Sequence, residues 1–247
     1  MAKYLKINTP AAKHAGELAS DYKLSNHGLT HLDRVYWNLP DSALYEEAVF
    51  RGEGHMTAGG PLLVNTGVHT SRAAADKFIV RESSTEEDIS WGEYNRPCDP
   101  QKFNGLLNRL QAFLQGEELF VQDCYVGADP EFRMPIRVIT DSAWQNLFAR
   151  NMFINIENLD EYKKHIPDFT VIAAPNFKAD PRVDGTRTQT AMLINFAERL
   201  AIICNSQYGG EIKKTIFTVM NFLLPLKGVM AMHCSANVGK EGDVALF

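Results

Sequence analysis

The segment YGGEIKK at residues 208–214 combines two glycines with two lysines. Glycine lets a backbone approach a ligand closely, and the two lysines then fall near the start of a predicted helix. The helix dipole and the neighbouring like charge both disfavour an ammonium group at that end of a helix. The pattern therefore indicates either a solvated basic corner or a site where an anion or a metal ion offsets the charge.

Two isolated side chains, His233 and Arg72, could also do chemistry. His233 lies in AMHCSA, which predicts a strand, and a histidine in a strand is either a hydrogen-bonded core residue or a ligand. Arg72 lies in TSRAAADK, which predicts a loop between two strands. An isolated guanidinium suits bidentate binding of a carboxylate, and a surface arginine without a ligand is the alternative.

The sequence has no phosphate-binding loop in which Gly-Lys is followed by Ser or Thr and preceded by a second glycine. Its only Gly-Lys pair, Gly239-Lys240, is followed by Glu241, and Cys234 stands where the first glycine belongs. We therefore expect no part of this chain to bind a triphosphate unaided.

The composition narrows the class of protein. The 247 residues are 45% hydrophobic and 22% charged, which excludes disordered and fibrous chains. Lysine and arginine number 25 against 30 acidic residues, so the formal charge is −5 and nucleic acid is not an expected partner. The longest apolar stretch, 222–232, is broken by Pro225 and Lys227, so we expect no membrane-spanning segment.

The N-terminus and the cysteines bear on the compartment. Lys3, Lys6 and Lys13 are not followed by an apolar core, so no secretory signal is predicted and the cytoplasm is the expected location. None of the four cysteines forms a CxxC pair, which favours four independent thiols over a disulfide framework or a zinc site.

The elements that must position these side chains follow from hydrophobic spacing. Strands alternating with helices predict an α/β (mixed α+β) sheet domain. The clearest helix runs from Asp99-Pro100 to Gly116, and a helix capped by Asp141 is also expected. Further helices are predicted at 42–50 and from 212 to a stop at Pro225; strands are predicted at 119–126, 136–139, 169–174, 188–194, 200–204, 229–238 and 244–247.

Several longer motifs resemble those of the ATP-dependent phosphoenolpyruvate carboxykinases. They are TSRAAADKFIV, YGGEIKK, LLPLKG and MHCSANVG followed by GDVALF. The resemblance extends from about residue 37 to residue 247, and residues 1–35 match no part of it. It implies an N-terminal substrate-binding domain at 1–228 and the first strands of an incomplete nucleotide-binding domain at 229–247. The phosphate loop and the rest of a C-terminal domain would then lie beyond this chain.

The resemblance implies an activity in gluconeogenesis: a lyase decarboxylates oxaloacetate and phosphorylates the product with ATP, giving phosphoenolpyruvate, carbon dioxide and ADP. The implied cofactors are Mn²⁺ and Mg²⁺. Arg72 and Lys213 match catalytic positions, and Arg72, Tyr208 and Lys214 match positions that bind substrate. Lys214 and His233 match the Mn²⁺ ligands. A lysine binds a metal only when deprotonated, so a helix N-terminus and an adjacent ammonium group favour that role for Lys214.

The loop around Arg72 departs from the family pattern. Ser71 replaces a glycine, and Ala73, Ala74 and Ala75 replace Ser-Pro-Lys. If the glycine position needs a positive φ, Ser71 would be strained by about 1 kcal/mol or more. Two other functions stay open: a non-catalytic module that binds a dicarboxylate or another anion, and an interaction fragment whose edge strand is completed by another chain.

Overall fold

The computed structural model describes residues 6–9, 12–16 and 20–247. Lys3, one of the N-terminal lysines considered above, lies outside the described residues. Within the described part of the chain, eleven strands form one mixed sheet, and the α/β (mixed α+β) fold class is confirmed. None of the helices in these residues is long and apolar enough to cross a bilayer.

The helices and strands have the following bounds. The helices are α1 (Asp41–Phe50), α2 (Pro100–Phe113), α3 (Ala143–Met152), α4 (Leu159–Lys164), α5 (Pro181–Asp184) and α6 (Gly210–Leu226). The strands are β1 (Lys6–Thr9), β2 (Ala12–Gly16), β3 (Arg34–Trp37), β4 (Gly54–Met56), β5 (Leu62–Val64), β6 (Lys77–Val80), β7 (Arg96–Cys98), β8 (Glu118–Val126), β9 (Met134–Thr140), β10 (Ile154–Asn155), β11 (Phe169–Ala174), β12 (Ala191–Asn195), β13 (Leu200–Cys204), β14 (Ala236–Val238) and β15 (Val244–Leu246).

The large sheet has the strand order β1-β2-β3-β8-β9-β11-β13-β12-β6-β7, with β10 paired to β8. Its centre is parallel from β9 through β11 to β13, and β12 then runs antiparallel to β13 and parallel to β6. The hairpins β4–β5 and β14–β15 form separate two-stranded sheets. In this order β6, which follows the loop of Arg72, pairs with β12. Helix α6 packs against β12 and its neighbours β13 and β11, so the loop and α6 meet on this part of the sheet.

Helices cover both faces of the central strands. Successive residues of a strand point to opposite faces, so Ile172 packs in the core that contains Leu106 of α2, whereas Val171 packs in the core that contains Ile216 of α6. Burial on both faces explains why β11 is apolar along most of its length rather than alternating. Each fully buried isoleucine or leucine contributes about 1.5–3 kcal/mol of transfer free energy to this packing.

The structure corrects several predicted boundaries. Ser142, not Asp141, caps α3, because its side chain accepts the N–H of Gln145. The strand predicted at 229–238 is limited to Ala236–Val238, and the one predicted at 188–194 begins at Ala191. Helix α6 continues through Pro225 to Leu226, since a proline φ is helical and only one backbone donor is lost in the last turn. The four cysteines are free thiols, as predicted.

A buried ion pair holds the segment after residue 20 against the sheet. The guanidinium of Arg137 in β9 is fully buried and donates to Asp123 of β8 at 2.7 and 3.0 Å. It also donates to the carbonyl oxygen of Tyr22 and lies 5.7 Å from the centre of the Tyr22 ring. The ring of His27 packs edge-on against Tyr22, so this histidine lies beside a buried cation.

The stability of the chain is expected to fall as the pH drops from about 6.5 towards 4. Burial and the charge of Arg137 lower the pKa of His27 from 6.5 to about 4, although Asp123 opposes this. Between pH 6.5 and pH 4 the unfolded chain binds a proton at His27 that the folded chain does not. The free energy of unfolding is therefore highest above pH 6.5 and declines below it. The shift corresponds to a loss of about 3 kcal/mol.

Urea unfolding of this chain at a series of pH values measures this loss. The variant His27→Gln lacks the titrating ring and should show a flatter profile across the same range. An equally steep profile in the variant would contradict the assignment to His27.

Candidate active site

Arg72 lies in the loop that leads into β6. A short 3-10 turn, Ala74–Asp76, joins the loop to the strand. The carboxylate of Asp76 is buried and accepts two bonds from Arg187, from Nε at 3.0 Å and from Nη2 at 2.8 Å. Thr188 Oγ1 donates a third bond at 3.2 Å. These bonds anchor the end of the loop to the segment that precedes β12.

The glycines at the start of α6 serve packing. A Cβ atom at Gly209 would come within 2.9 Å of Trp144 Cη2 and 3.0 Å of Phe148 Cγ, both in α3. A Cβ atom at Gly210 would overlap the ring of Tyr208. The sequence interpretation linked these glycines to ligand approach, whereas the structure shows that they let α6 begin close to α3 and to the Tyr208 ring.

Glu211 connects the loop of Arg72 to α6. It lies in the first turn of the helix and is only 4% exposed. Its Oε1 atom accepts the backbone N–H of Ala73 at 2.6 Å. Burial raises the pKa of Glu211, while the Ala73 N–H and the charge of Arg72 act in the opposite direction. Glu211 is not among the residues predicted from the sequence for a site.

A cavity of about 340 Å³ lies between the loop and α6. Its lining includes Arg72 from the loop, Lys77 from β6, Glu211 and Lys214 from α6, and His233 from the segment after α6. Three of the five residues predicted for a site therefore meet at one cavity, although they are far apart in the sequence.

Lys214 and His233 flank the same aromatic ring. The Lys214 Nζ atom lies 4.8 Å from the centre of the Phe217 ring, and the centre of the His233 ring lies 5.4 Å from it. His233 is exposed and lies in irregular chain rather than in the predicted strand, because the observed strand begins at Ala236 and its backbone pairing at Ser235.

The cavity is rich in positive charge. Burial and the nearby Arg72 lower the pKa of Lys77. Burial, Arg72 and Lys213 together lower the pKa of Lys214. Crowded cations favour a bound anion, and they also favour the deprotonated amine that a metal requires.

Tyr208 and Lys213 are not part of the lining of this cavity. Tyr208 is half-buried, and its backbone N–H donates to Ser206 Oγ at 3.3 Å. Lys213 is exposed and affects the cavity through its charge on Lys214. Their roles toward a substrate stay predictions.

The loop substitutions carry no backbone strain at Ser71. In the described residues, the positive φ angles outside glycine are those of His31, Asn38, Arg199 and Asn205. Ser71 is not among them, so the strain considered for it does not occur. Glu211 accepts the backbone N–H of residue 73, so alanine at this position in place of the family's serine leaves the contact intact.

The donor set fits part of a metal site. A neutral imidazole and an amine with a lowered pKa can each donate a nitrogen lone pair to a transition metal, although Mn²⁺ generally prefers oxygen ligands. In the described residues no group of three or more His, Cys, Asp and Glu side chains could hold a metal ion. A metal site that used Lys214 and His233 would therefore need ligands besides these two side chains.

Comparison with known proteins confirms the resemblance. The family profile for phosphoenolpyruvate carboxykinase matches residues 33–247. A phosphoenolpyruvate carboxykinase (ATP) of Geobacter sp. (strain M21) is 52% identical over 224 residues, which cover 91% of this chain and 42% of the relative. Phosphoenolpyruvate carboxykinase (ATP) 2 of Moorella thermoacetica is 49% identical over 230 residues, which cover 93% of this chain and 44% of the relative.

A relative in Thermus thermophilus, also a phosphoenolpyruvate carboxykinase (ATP), is 48% identical over 228 residues, which cover 91% of this chain and 43% of the relative. The chain thus spans less than half the length of the curated relatives it matches. A profile match over most of the chain, together with identities near 50%, shows that the chain belongs to the phosphoenolpyruvate carboxykinase family.

Proposed function

We propose that a protein containing this chain at the full length of its relatives converts oxaloacetate and ATP into phosphoenolpyruvate, carbon dioxide and ADP, as a step of gluconeogenesis. One observation carries the proposal: Arg72, Lys214 and His233 line the same cavity. The relatives are phosphoenolpyruvate carboxykinases (ATP), which supports this activity.

Each side chain has a role that its chemistry supports. The guanidinium of Arg72 binds a carboxylate of oxaloacetate through two parallel hydrogen bonds and so orients the substrate. Lys214 adds positive charge next to it, and Lys213 at the rim faces the groups that react. Tyr208 lies beside the substrate. These cations stabilise negative charge that develops on oxygen as carbon dioxide leaves.

Lys214 and His233 are proposed to hold Mn²⁺, and Mg²⁺ is proposed to accompany ATP. A bound divalent cation supplies further charge stabilisation during decarboxylation and phosphoryl transfer. The neutral amine of Lys214 is favoured by its burial and by the charges of Arg72 and Lys213, which lower its pKa.

The division of the chain supports a second part of the proposal. We place the substrate-binding domain at residues 1–228 and the start of a nucleotide-binding domain at 229–247. The hairpin β14–β15 is separate from the large sheet, and all residues of its two strands are exposed. A C-terminal domain that completes the ATP site is the proposed partner of this hairpin, and the cytoplasm is the proposed location.

The 247-residue chain alone is expected to lack turnover, because it contains no phosphate-binding loop. Arg72 and the two lysines should still bind a dicarboxylate weakly, with a dissociation constant of about 1 mM. The test is a coupled assay with oxaloacetate, ATP and Mn²⁺ on this chain and on the chain extended to the full length of its relatives.

Turnover by the extended chain, with none by the 247-residue chain, supports the proposal. Comparable turnover by the 247 residues, or none by a folded extended chain, would contradict it. Dicarboxylate binding without turnover in the extended chain would indicate an anion-binding module instead.

A further inference from the structure

Glu211 joins the two segments that carry the charged side chains of the cavity. Its Oε1 atom accepts the N–H of Ala73, the residue directly after Arg72, at 2.6 Å. Glu211 itself lies one turn before Lys214 on α6. A single hydrogen bond therefore fixes the distance between the start of α6 and the loop.

The position of Glu211 makes this bond strong. The carboxylate is buried, and a hydrogen bond between an ionised acceptor and an N–H group is about twice as strong as a neutral one. The first turn of α6 also places the negative charge where the helix dipole favours it. Because a buried carboxylate without a partner is costly, the folded chain favours the closed contact.

Other anchors hold the far end of the loop but not the arginine. Asp76, which lies four residues after Arg72, accepts hydrogen bonds from Arg187 and Thr188. His69 Nε2 and Thr190 Oγ1 lie 3.0 Å apart on the other side. Within the described residues, the side-chain hydrogen bond made directly next to Arg72 is the one from the Ala73 N–H to Glu211.

We propose that Glu211 is a positioning residue, which holds the loop against α6 so that the guanidinium of Arg72 stays on the cavity that Lys214 and His233 line. The kinetic consequence rests on the proposed function, whereas the contact itself does not. Because the recognised group is a backbone N–H, the loop tolerates alanine at position 73.

The contact is tested by amide hydrogen exchange in the chain extended to the full length of its relatives. Glu211→Ala should speed exchange at the amide of residue 73 by at least about tenfold, since the acceptor is lost. Glu211→Gln keeps an acceptor oxygen and should retain most of the protection. Unchanged exchange in Glu211→Ala would overturn the proposal even if the enzyme proves inactive.

The kinetic effect is measured in the same proteins. Glu211→Ala should raise the KM for oxaloacetate about tenfold and leave the KM for ATP within about twofold. Glu211→Gln should restore the KM to within about threefold. Equal changes for both substrates, or no rescue by glutamine, would overturn the positioning role. An inactive unsubstituted enzyme would instead contradict the proposed function.

Asp184→Asn is a matched control for loss of a buried carboxylate. Asp184 is 3% exposed, it accepts the backbone N–H of Asp180 at 2.6 Å and a bond from Arg109, and it does not line the cavity of Arg72. This variant should lower the midpoint of urea unfolding and leave both KM values unchanged. If Asp184→Asn raises the KM for oxaloacetate as much as Glu211→Ala does, the effect of Glu211→Ala comes from general destabilisation of the fold. That result would overturn the proposal.

Discussion

Lys214→Met in the extended chain is expected to lower kcat/KM for oxaloacetate by about 10²–10³-fold, the range seen when one preorganised charge-stabilising group is removed. Methionine has a similar length but cannot carry charge at the cavity, and its thioether is a poor ligand for Mn²⁺. Steady-state kinetics with saturating ATP and Mn²⁺ measure the change.

Lys227→Met is the control for this substitution. Lys227 is exposed at the C-terminal end of the same helix, outside the lining of the cavity. It should leave kcat/KM within about twofold of the unsubstituted enzyme. A similar loss in both variants would show that lysine substitution in α6 or at its C-cap acts through folding. An unchanged Lys214→Met enzyme would remove this residue from the site.

Arg72→Gln is expected to raise the KM for oxaloacetate by about ten- to a hundredfold while the KM for ATP changes little. A charge-assisted hydrogen bond contributes about 1.5–3 kcal/mol, and glutamine replaces the bidentate guanidinium with a single neutral donor group. Initial rates over a matrix of both substrate concentrations separate the two KM values.

Arg72→Lys and Arg182→Gln complete that experiment. Lysine keeps the charge without the fork of donors, so its KM should lie between those of arginine and glutamine. Arg182 is 89% exposed and ion-paired with Asp180, so its replacement should have no effect on either KM. Equal increases for oxaloacetate and ATP in Arg72→Gln would contradict a carboxylate role.

Much of the sheet could be predicted because its strands are buried on both faces. β13 is a continuous apolar run and β11 is apolar except at Thr170, and the predicted bounds of both agree with the structure. Helix α2 was also predictable, since Asp99 caps it and its apolar residues recur at helical spacing. The strand predicted at 229–238 was too long, because the apolar residues at its start resemble a strand, whereas the observed strand begins at Ala236 and its backbone pairing at Ser235.

The site could be predicted only in part. Arg72, Lys214 and His233 are identifiable from family motifs, and the structure places them on one cavity. Glu211 stands in the motif YGGEIKK, yet the N–H that it accepts is 138 residues away in the chain. The order of strands β12 and β6 creates that contact, and hydrophobic spacing does not encode the order of strands in a sheet.

The central claim is that side chains from separate segments form one ligand site, and Mn²⁺ binding tests it most directly. Free Mn²⁺ can be titrated by electron paramagnetic resonance into the extended chain without nucleotide. We predict that Lys214→Met and His233→Ala each weaken the same binding isotherm by at least about tenfold, whereas Lys227→Met leaves it unchanged. Unaltered Mn²⁺ affinity in either Lys214→Met or His233→Ala would contradict a shared site.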